Sequence, residues 1–420
     1  MHTDLATNRM FIVVLALLTG LTAVAVAISL PAIPEMVSEL GTTMSLGQQI
    51  VALFMLGMAI GQLPAGLLSD RLGRMPVIYA GVGLFTICAV FASVSDNMTV
   101  ILVARFTQGL GAAVGMVVSR AIIRDIASGA TAARLMSLMV MIFTLGPTIA
   151  PMLGAFLADQ WGWRAPFYAL AIIGLLTLFL VRSKLQETHV PSTDQHIGRQ
   201  FVASLREFFS HREALFSVLI IVFTAAGFMV LITGSAALVI EIYGYPVAWF
   251  GAIFALVGVA LFAGSLISRQ LLLRLHTVQV IGVGAGIVAV VAAQMLLIQW
   301  LGDANFWWVW GNACLYMFGV GFLMPTANAL SLEPVPHIAG MASSIIGTMQ
   351  GLAAAISAIV SSILYDGTIS NLTLIMGGAG IGVLATYLLR KQILGTAAPQ
   401  NSAGLSPHPG TRNLRASCYA

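Results

Sequence analysis

The sequence is poor in charge. Asp, Glu, Lys and Arg make up only 8% of its 420 residues, while 59% are hydrophobic. Soluble domains carry about 25% charged residues, and a soluble protein with so few could not cover its surface. A protein surface that faces lipid hydrocarbon needs no charged residues. The composition therefore argues against an ordinary soluble protein and predicts a chain embedded in lipid.

Cysteine is also scarce. Cys88, Cys314 and Cys418 are odd in number, far apart and without CxxC spacing, so neither a disulfide framework nor a metal site is indicated. The loop histidines lack ligand spacing, and the absence of a Walker motif argues against an ATP-driven pump. We therefore expect no metal and no cofactor.

What the sequence does contain is a series of apolar runs separated by short polar breaks. Each run is near or above the roughly 20 residues that cross a bilayer. The first is too long for the apolar core of a secretory signal, so we expect it to be retained. Twelve spans are predicted, at about 10–32, 46–68, 76–94, 99–121, 134–157, 165–182, 214–236, 247–267, 278–299, 307–330, 338–362 and 370–389.

The basic residues indicate an orientation. If the N-terminus lies inside, all 19 Lys and Arg residues except Arg105 and Arg164 fall on the cytoplasmic side. This asymmetry follows the positive-inside rule and predicts an even number of spans with both termini cytoplasmic. The net charge of +4 therefore reflects topology, and no nucleic-acid partner is expected.

The longest polar break divides the chain into halves. We predict an N-terminal six-helix half at 1–182, a cytoplasmic linker at 183–213 and a C-terminal six-helix half at 214–394. Apolar residues at helical spacing in the linker indicate a short amphipathic helix on the inner membrane surface. The remainder, 395–420, is rich in Pro, Ser, Gly and Asn, which predicts disorder.

A charged motif follows the second run and recurs after the eighth. It spans Gly66 to Arg74, and its second copy begins at Gly264 and carries Ser268 in place of Asp70. Such repetition at matching loops is typical of duplicated transporters. The charged residues can form charge-assisted hydrogen bonds that lock one arrangement of the inner helix ends, or they can merely fix topology. The motif residues are Gly66, Asp70, Arg71, Gly73 and Arg74.

This loop resembles the G-x-L-x-D-R-x-G-R pattern of the major facilitator superfamily. In the fourth run, Arg105-Phe-Thr-Gln108-Gly-Leu-Gly-Ala-Ala is similar to a second pattern of that family, in which the arginine is associated with proton coupling. A charge within a span is costly and suggests function, and Gln108 shares its face. The alternative is a structural arginine bonded to carbonyl groups of a neighbouring helix.

The fifth run contains Gly146, Pro147, Pro151 and Gly154. Proline removes a helix hydrogen bond and bends the helix. The stretch resembles the antiporter signature of the same family, which implies a gating helix. A static kink that fits the bundle is the alternative.

Finer resemblance is to the bicyclomycin/chloramphenicol-resistance (Bcr/CflA) efflux subfamily. It rests on Leu30–Pro34, Phe54–Leu63, Arg120–Asp125 and Ala150–Gly154, and it is dense over about the first 170 residues. The subfamily implies antibiotic efflux driven by the proton gradient across a bacterial inner membrane. Arg124 and Asp125 are expected at the inner end of the fourth span, where they can pair with the charged loop.

One departure from that subfamily concerns the first span. Many relatives carry an acid just before the Leu-Pro pair, whereas Ala25–Ser29 contains none. This absence disfavours cation export and favours neutral or anionic substrates attracted by Arg105. It also leaves open which residue carries a proton and whether protons are coupled at all. The remaining acidic candidates lie at span ends and are Glu35, Asp70, Asp125, Glu241 and Glu333.

Several polar residues within the runs are candidates for the lining of a central cavity. Each can equally form a hydrogen bond between helices, worth about 0.6 kcal/mol in membranes. They are Ser29, Gln62, Thr144, Gln294, Asn312, Asn328 and Gln350.

The sequence therefore predicts an all-α polytopic membrane protein with twelve transmembrane helices in two six-helix halves. Such halves rock about a site near the bilayer midplane. The predicted function is secondary active export of a small organic molecule by a monomer, coupled to protons. A metabolite or sugar facilitator or importer is the alternative, and a receptor without transport is a further one. An enzyme is not expected, because no catalytic groups cluster within the runs.

Overall fold

The computed structural model describes residues 9–189, 197–302 and 304–394. The described backbone consists of helices and short connections, without a strand. The predicted tail at 395–420 lies outside the described residues, as do linker residues 190–196. Within the fifth long helix several side chains are also outside the description, including those of Thr144 and Pro147.

Twelve long helices dominate the described chain, and we label them α1 to α12. Eleven of them, among the residues that could be searched, are long and apolar enough to cross a membrane. The other, α5, is 33 residues long. The all-α, polytopic prediction is therefore confirmed. The helices are α1 Arg9–Ala27, α2 Met44–Leu72, α3 Arg74–Val94, α4 Met98–Ile126, α5 Gly129–Trp161, α6 Ala165–Lys184, α7 Arg212–Ala236, α8 Val247–Leu271, α9 Thr277–Leu301, α10 Phe306–Leu332, α11 Ala339–Ile363 and α12 Ser370–Leu388.

Shorter helices extend or connect these. After α1 the chain forms a 3₁₀ turn, Leu30–Ala32, and a short helix, Ile33–Glu39. The prolines in this region explain the interruption, since proline cannot donate the helical hydrogen bond. A π-helical segment, Ala237–Ile242, prolongs α7. The linker forms a helix at Ile197–Ser210, where the sequence predicts one, and a 3₁₀ turn at Pro336–Ile338 precedes α11.

Local sequence explains several helix ends. The side chain of Thr43 accepts a hydrogen bond from the amide of Leu46 at the start of α2. Asn97 caps α4 in the same way, and such caps satisfy amides that have no partner within the helix. Between α2 and α3, Gly73 adopts φ 94°, a conformation that favours glycine. The turn between the two helices is therefore a single residue long.

The packing repeats with a period of six helices. In the N-terminal half α2 packs on α4, α3 on α4 and α6, and α1 on α5. The C-terminal half repeats these pairs as α8 on α10, α9 on α10 and α12, and α7 on α11. Between the halves, α2 packs on α11 and α5 on α8. The structure thus has the two-half arrangement that the repeated loop predicts.

Candidate functional site

The charged loop between α2 and α3 forms an ion-pair network around Arg74. Arg74 is 4% exposed, and its guanidinium donates to both carboxylate oxygens of Asp125, at 2.9 and 3.3 Å. The same group pairs with Asp70 and donates to the hydroxyl of Ser69 at 2.9 Å. Bidentate pairs of this kind fix geometry as well as charge. The network therefore fastens together the ends of α2, α3 and α4 at the face that the basic residues predict to be cytoplasmic, which we call the inner face.

Glu187, just after α6, is a member of this site that the sequence reasoning missed. Its carboxylate accepts hydrogen bonds of 2.9 Å from the backbone amides of both Arg74 and Met75, so it caps the N-terminus of α3. Burial acts to raise the pKa of Glu187, but these bonds, with those from the amides of His189 and Thr188, outweigh it and lower the pKa. A lone acid in a polar linker has no periodic pattern that could have revealed this role.

The first linker residues add two more contacts to the network. The hydroxyl of Thr188 donates to Asp125 at 3.2 Å, and a ring nitrogen of His189 lies 3.2 Å from the carbonyl oxygen of Asp70. The linker therefore begins as part of the N-terminal half. Its helix instead packs on α7 and α11, with Phe208 buried and Glu207 paired to His337 at 2.7 Å.

The other predicted loop residues lie elsewhere. Arg71 is exposed and has no ion pair among the described residues, and a side chain at Gly66 would find room beside Val117. Arg124 does not join the Arg74 network. Its guanidinium instead reaches the opposite half, where a Cβ added to Gly340 would overlap it. Of the Arg124–Asp125 pair, only Asp125 contacts the loop as predicted.

Arg105 is fully buried inside the N-terminal half. It donates to the carbonyl oxygens of Ala25 at 2.8 Å and Ile50 at 3.4 Å, and to the side-chain oxygen of Gln108 at 2.6 Å. The ring of Phe54 lies 4.4 Å from its guanidinium carbon, a cation–π contact. With 0% exposure, Arg105 cannot touch a substrate in this conformation. These are the carbonyl contacts of the structural alternative, and the coupling role remains a prediction.

The glycines of α5 bring it against α1. A Cβ at Gly154 would overlap the carbonyl oxygen of Ile28, and one at Gly146 would overlap the Cβ of Ala23. Pro151 is buried in the same contact region. Small residues permit such close approach of helix backbones in membranes. The α1–α5 contact therefore depends on the predicted signature, while its part in gating remains a prediction.

The polar residues predicted for the cavity separate into two groups. Ser29 is buried without a hydroxyl partner among the described residues, and Gln62 lies against Gly347 of α11, across the interface between the halves. Gln350 is half-buried in α11. The others bond within the C-terminal half: Asn312 donates to Gln294 and to the carbonyl of Trp308, both at 3.0 Å, and Asn328 donates to the carbonyl of Met324 at 2.8 Å.

Curated relatives cover nearly the whole chain. The uncharacterised transporter YdgK of Bacillus subtilis is 29% identical over 91% of this chain and 96% of its own length. The bicyclomycin resistance protein homolog of Haemophilus influenzae is 28% identical over 91% and 97%. Multidrug resistance protein D of Escherichia coli is 27% identical over 91% and 95%.

Solved structures agree with the fold. A D-xylose–proton symporter superposes with a TM-score of 0.74 at 17% identity, covering 92% of this chain and 97% of its own. A peptide transporter superposes with a TM-score of 0.74 at 14% identity, covering 94% and 98%. At such identities the likeness concerns the fold alone. A family model for the Major Facilitator Superfamily matches residues 15–358. The chain therefore belongs to the Major Facilitator Superfamily, in the branch that resembles the Bcr/CflA drug-resistance transporters.

Proposed function

We propose that this protein exports a small, partly apolar organic molecule from the cytoplasm in exchange for protons. The observation that carries the proposal is the similarity, over about nine-tenths of both lengths, to proteins named for bicyclomycin and multidrug resistance. We place the protein in a bacterial inner membrane as a monomer with both termini cytoplasmic. The proton gradient, rather than a bound cofactor, supplies the energy.

The arrangement of contacts supports alternating access. The halves meet through α2–α11 and α5–α8, so rocking about these two contacts opens one side as the other closes. Around Arg74 the inner ends of the N-terminal half are held by ion pairs. The equivalent loop of the C-terminal half has buried Ser268, whose hydroxyl has no partner in the described chain. The N-terminal half accordingly moves as the more rigid body at the inner face.

Proton coupling requires a group that titrates within reach of each side. The described carboxylates lie at helix ends, as the sequence predicts. At the inner end, Asp70 and Asp125 are tied to Arg74. At the outer end, Glu35 is exposed, and Glu241 accepts a 3.0 Å hydrogen bond from Tyr365. We propose the outer pair, Glu35 and Glu241, as proton acceptors on the outer side.

Everted membrane vesicles test export directly. Bicyclomycin, a carboxylate-bearing drug and a quaternary ammonium drug are supplied outside energised vesicles, and uptake is followed with and without an uncoupler. Uncoupler-sensitive uptake of at least one compound, absent from vesicles without the protein, is expected. Uptake that is indifferent to the uncoupler would instead identify a facilitator.

The same vesicles test the roles of Arg105 and the outer acids. If Arg105 contributes to coupling, Arg105→Gln reduces uncoupler-sensitive uptake at equal expression and unchanged thermal stability. If its role is structural, the variant loses thermal stability first, because two carbonyl groups lose a charged donor. Glu35→Gln and Glu241→Gln are expected to reduce the protons moved per substrate. Unchanged stoichiometry in both would remove the outer acids from the mechanism.

A further inference from the structure

Two arginines at the inner end of α4 have no anionic partner in the described part of the chain. Arg120 and Arg124 are four residues apart and therefore share one face of the helix. Arg120 is half-buried and Arg124 is exposed, and neither guanidinium group forms a hydrogen bond or an ion pair with any described residue. The neighbouring acid, Asp125, is already bound to Arg74. The two positive charges therefore remain uncompensated.

The packing of α4 shows where Arg120 points. Gly111 faces the backbone of α3, where an added Cβ would lie 2.5 Å from the carbonyl oxygen of Gly81. Nine residues, about two and a half helical turns, separate Gly111 from Arg120, so their side chains leave the helix in opposite directions. Arg120 thus faces away from α3, on the same side of α4 as Arg124.

Arg124 shows what lies on that side of α4. Its guanidinium lies against Gly340, in the first turn of α11 on the C-terminal half. The residue before α11, Ile338, offers no side-chain hydrogen bond to the free amides of that turn. A helix N-terminus carries a partial positive charge and attracts anions. Arg124 and this turn therefore meet across the two halves, with Arg120 one helical turn away on the same face of α4.

We propose that Arg120 and Arg124 bind the acidic group of an organic anion that arrives from the cytoplasm, and that the first turn of α11 completes the site. The inference rests on the proposed export function, for which it specifies an anionic substrate class. A bound carboxylate would compensate the two arginines and bridge the halves, which favours closure of the inner side. The positive-inside rule accounts for an exposed arginine such as Arg134, but not for the half-buried Arg120, which has no ion pair among the described residues.

A matched ligand series tests the proposal on the purified, full-length protein in nanodiscs of zwitterionic lipid. The probes are 2-naphthoate, 2-naphthamide and 2-naphthylmethylammonium, which share one apolar body and differ in charge. Equilibrium binding is measured by titration calorimetry, without transport. The naphthoate is expected to bind at least about tenfold more tightly than the amide, because hydrogen bonds to charged groups are worth more than neutral ones.

The variants Arg120→Gln and Arg124→Gln are each expected to abolish this preference, while Arg120→Lys retains part of it. Arg134→Gln, which removes an exposed inner charge from α5, is the matched control and is expected to leave the preference intact. Equal loss in Arg134→Gln, or no preference in the wild type, overturns the proposal. If Arg120→Gln does not fold, the binding preferences of Arg120→Lys and Arg124→Gln are compared with that of the wild type, and an unchanged preference in both overturns the proposal.

An anionic lipid headgroup has the same chemistry as the proposed ligand, so its contribution is measured separately. The titration is repeated in nanodiscs that contain phosphatidylglycerol. A preference that persists supports a substrate site, whereas a preference that disappears identifies a lipid site and overturns the proposal. Because binding is measured without transport, a failure of proton-coupled export would refute the proposed function and leave the anion preference as a separate result.

Discussion

At the residue scale, single polar side chains join segments that are distant in sequence. The carboxylate of Glu187 accepts hydrogen bonds from the backbone amides of Arg74 and Met75 at the start of α3, although more than 100 residues separate them along the chain. Gly73 leaves room for this contact, since a Cβ there would lie 2.7 Å from the Glu187 carboxylate. Gly73, which allows the tight turn of the loop motif, therefore also leaves space for the capping carboxylate of Glu187.

Replacing Glu187 tests the cap. Glu187→Gln removes a charge from the N-terminus of α3, and because the side chain is exposed, solvent screening limits the loss to about 0.5–1 kcal/mol. The folded-state pKa lies below the ordinary value of 4.5, so the stabilisation is complete above pH 4.5 and is lost as the pH falls below it. The apparent Tm difference from wild type is expected to stay constant above about pH 5.5 and to shrink toward pH 4.

The exposed Glu333, which has no hydrogen-bond partner among the described residues, provides the control for this measurement. Glu333→Gln is expected to leave the apparent Tm unchanged over the same pH range. A Tm difference for Glu187→Gln that grows on acidification would contradict the cap.

Gln48 presents the opposite situation, a buried amide without partners. It is 1% exposed, and neither its nitrogen nor its oxygen has a hydrogen bond within the described structure. It lines a small cavity with Gly234 of α7 and Tyr365, where about 10 Å³ is open to the centre of a water molecule. An unsatisfied buried group costs about 1–3 kcal/mol, so this residue weakens the outer contact between the halves.

Gln48→Leu is therefore expected to raise the apparent Tm and to favour closure of the outer side. Closure is measured by the labelling rate of a cysteine introduced at Leu372, a buried residue of the same cavity wall. Gln160→Leu, at an exposed outer position, is the control and is expected to change neither quantity. A lower Tm for Gln48→Leu would show that a bound water already satisfies the amide.

At the scale of helices, the α1–α5 pair depends on the absence of side chains at two positions. Gly154→Ala would press a methyl group against the carbonyl oxygen of Ile28, one residue past the end of α1, and overpacking of this kind costs about 1–3 kcal/mol. We expect a lower apparent Tm and slower transport. Gly83→Ala in α3 is the matched control, because a Cβ there meets nothing within 4 Å and alanine favours a helix. Equal effects of the two substitutions would contradict the packing argument.

The helices themselves were largely predictable from sequence, whereas several of their ends were not. The runs predicted at 76–94 and 278–299 lie within α3 and α9 and differ from them by only a few residues. By contrast, α4 and α5 extend beyond their runs, to Ile126 and from Gly129. Hydropathy identifies residues that lipid solvates, but helical hydrogen bonding continues through the charged ends. Arg124, which lies against Gly340, and Asp125, which binds Arg74, are both in the charged end of α4.

At the scale of the whole molecule, the outer contact between the halves can be locked. The hydroxyl of Ser45 in α2 donates to the carbonyl oxygen of Ser362 in α11 at 2.6 Å. With the native cysteines replaced by serine, a disulfide between Ser45→Cys and Ser362→Cys is expected to hold the outer side closed and stop transport. Reduction should restore it. Full activity of the oxidised protein would show that these helices do not separate, which contradicts alternating access.

A second contact, at the outer face of one half, is expected to behave differently. Arg164 pairs with Glu39 at 2.6 Å and with Asp96, and its guanidinium lies 4.1 Å from the ring of Trp163. All four residues belong to the N-terminal half. Arg164→Ala is therefore expected to lower the apparent Tm while leaving the protons moved per substrate unchanged. A change in that stoichiometry without a Tm change would assign Arg164 to the transport cycle.

The sequence by itself determined the class of the protein. Apolar runs of bilayer length, the one-sided distribution of arginines and the repeated loop are local or periodic properties, and they were enough for the two-half helical fold. The tertiary structure decided which charges meet. It placed Arg74 rather than Arg71 at the centre of the ion-pair network, enclosed Arg105 within one half, and left Arg120 and Arg124 without an ion pair among the described residues. Whether a charge is paired depends on which helices lie beside it, and packing between distant segments leaves no pattern in the local sequence.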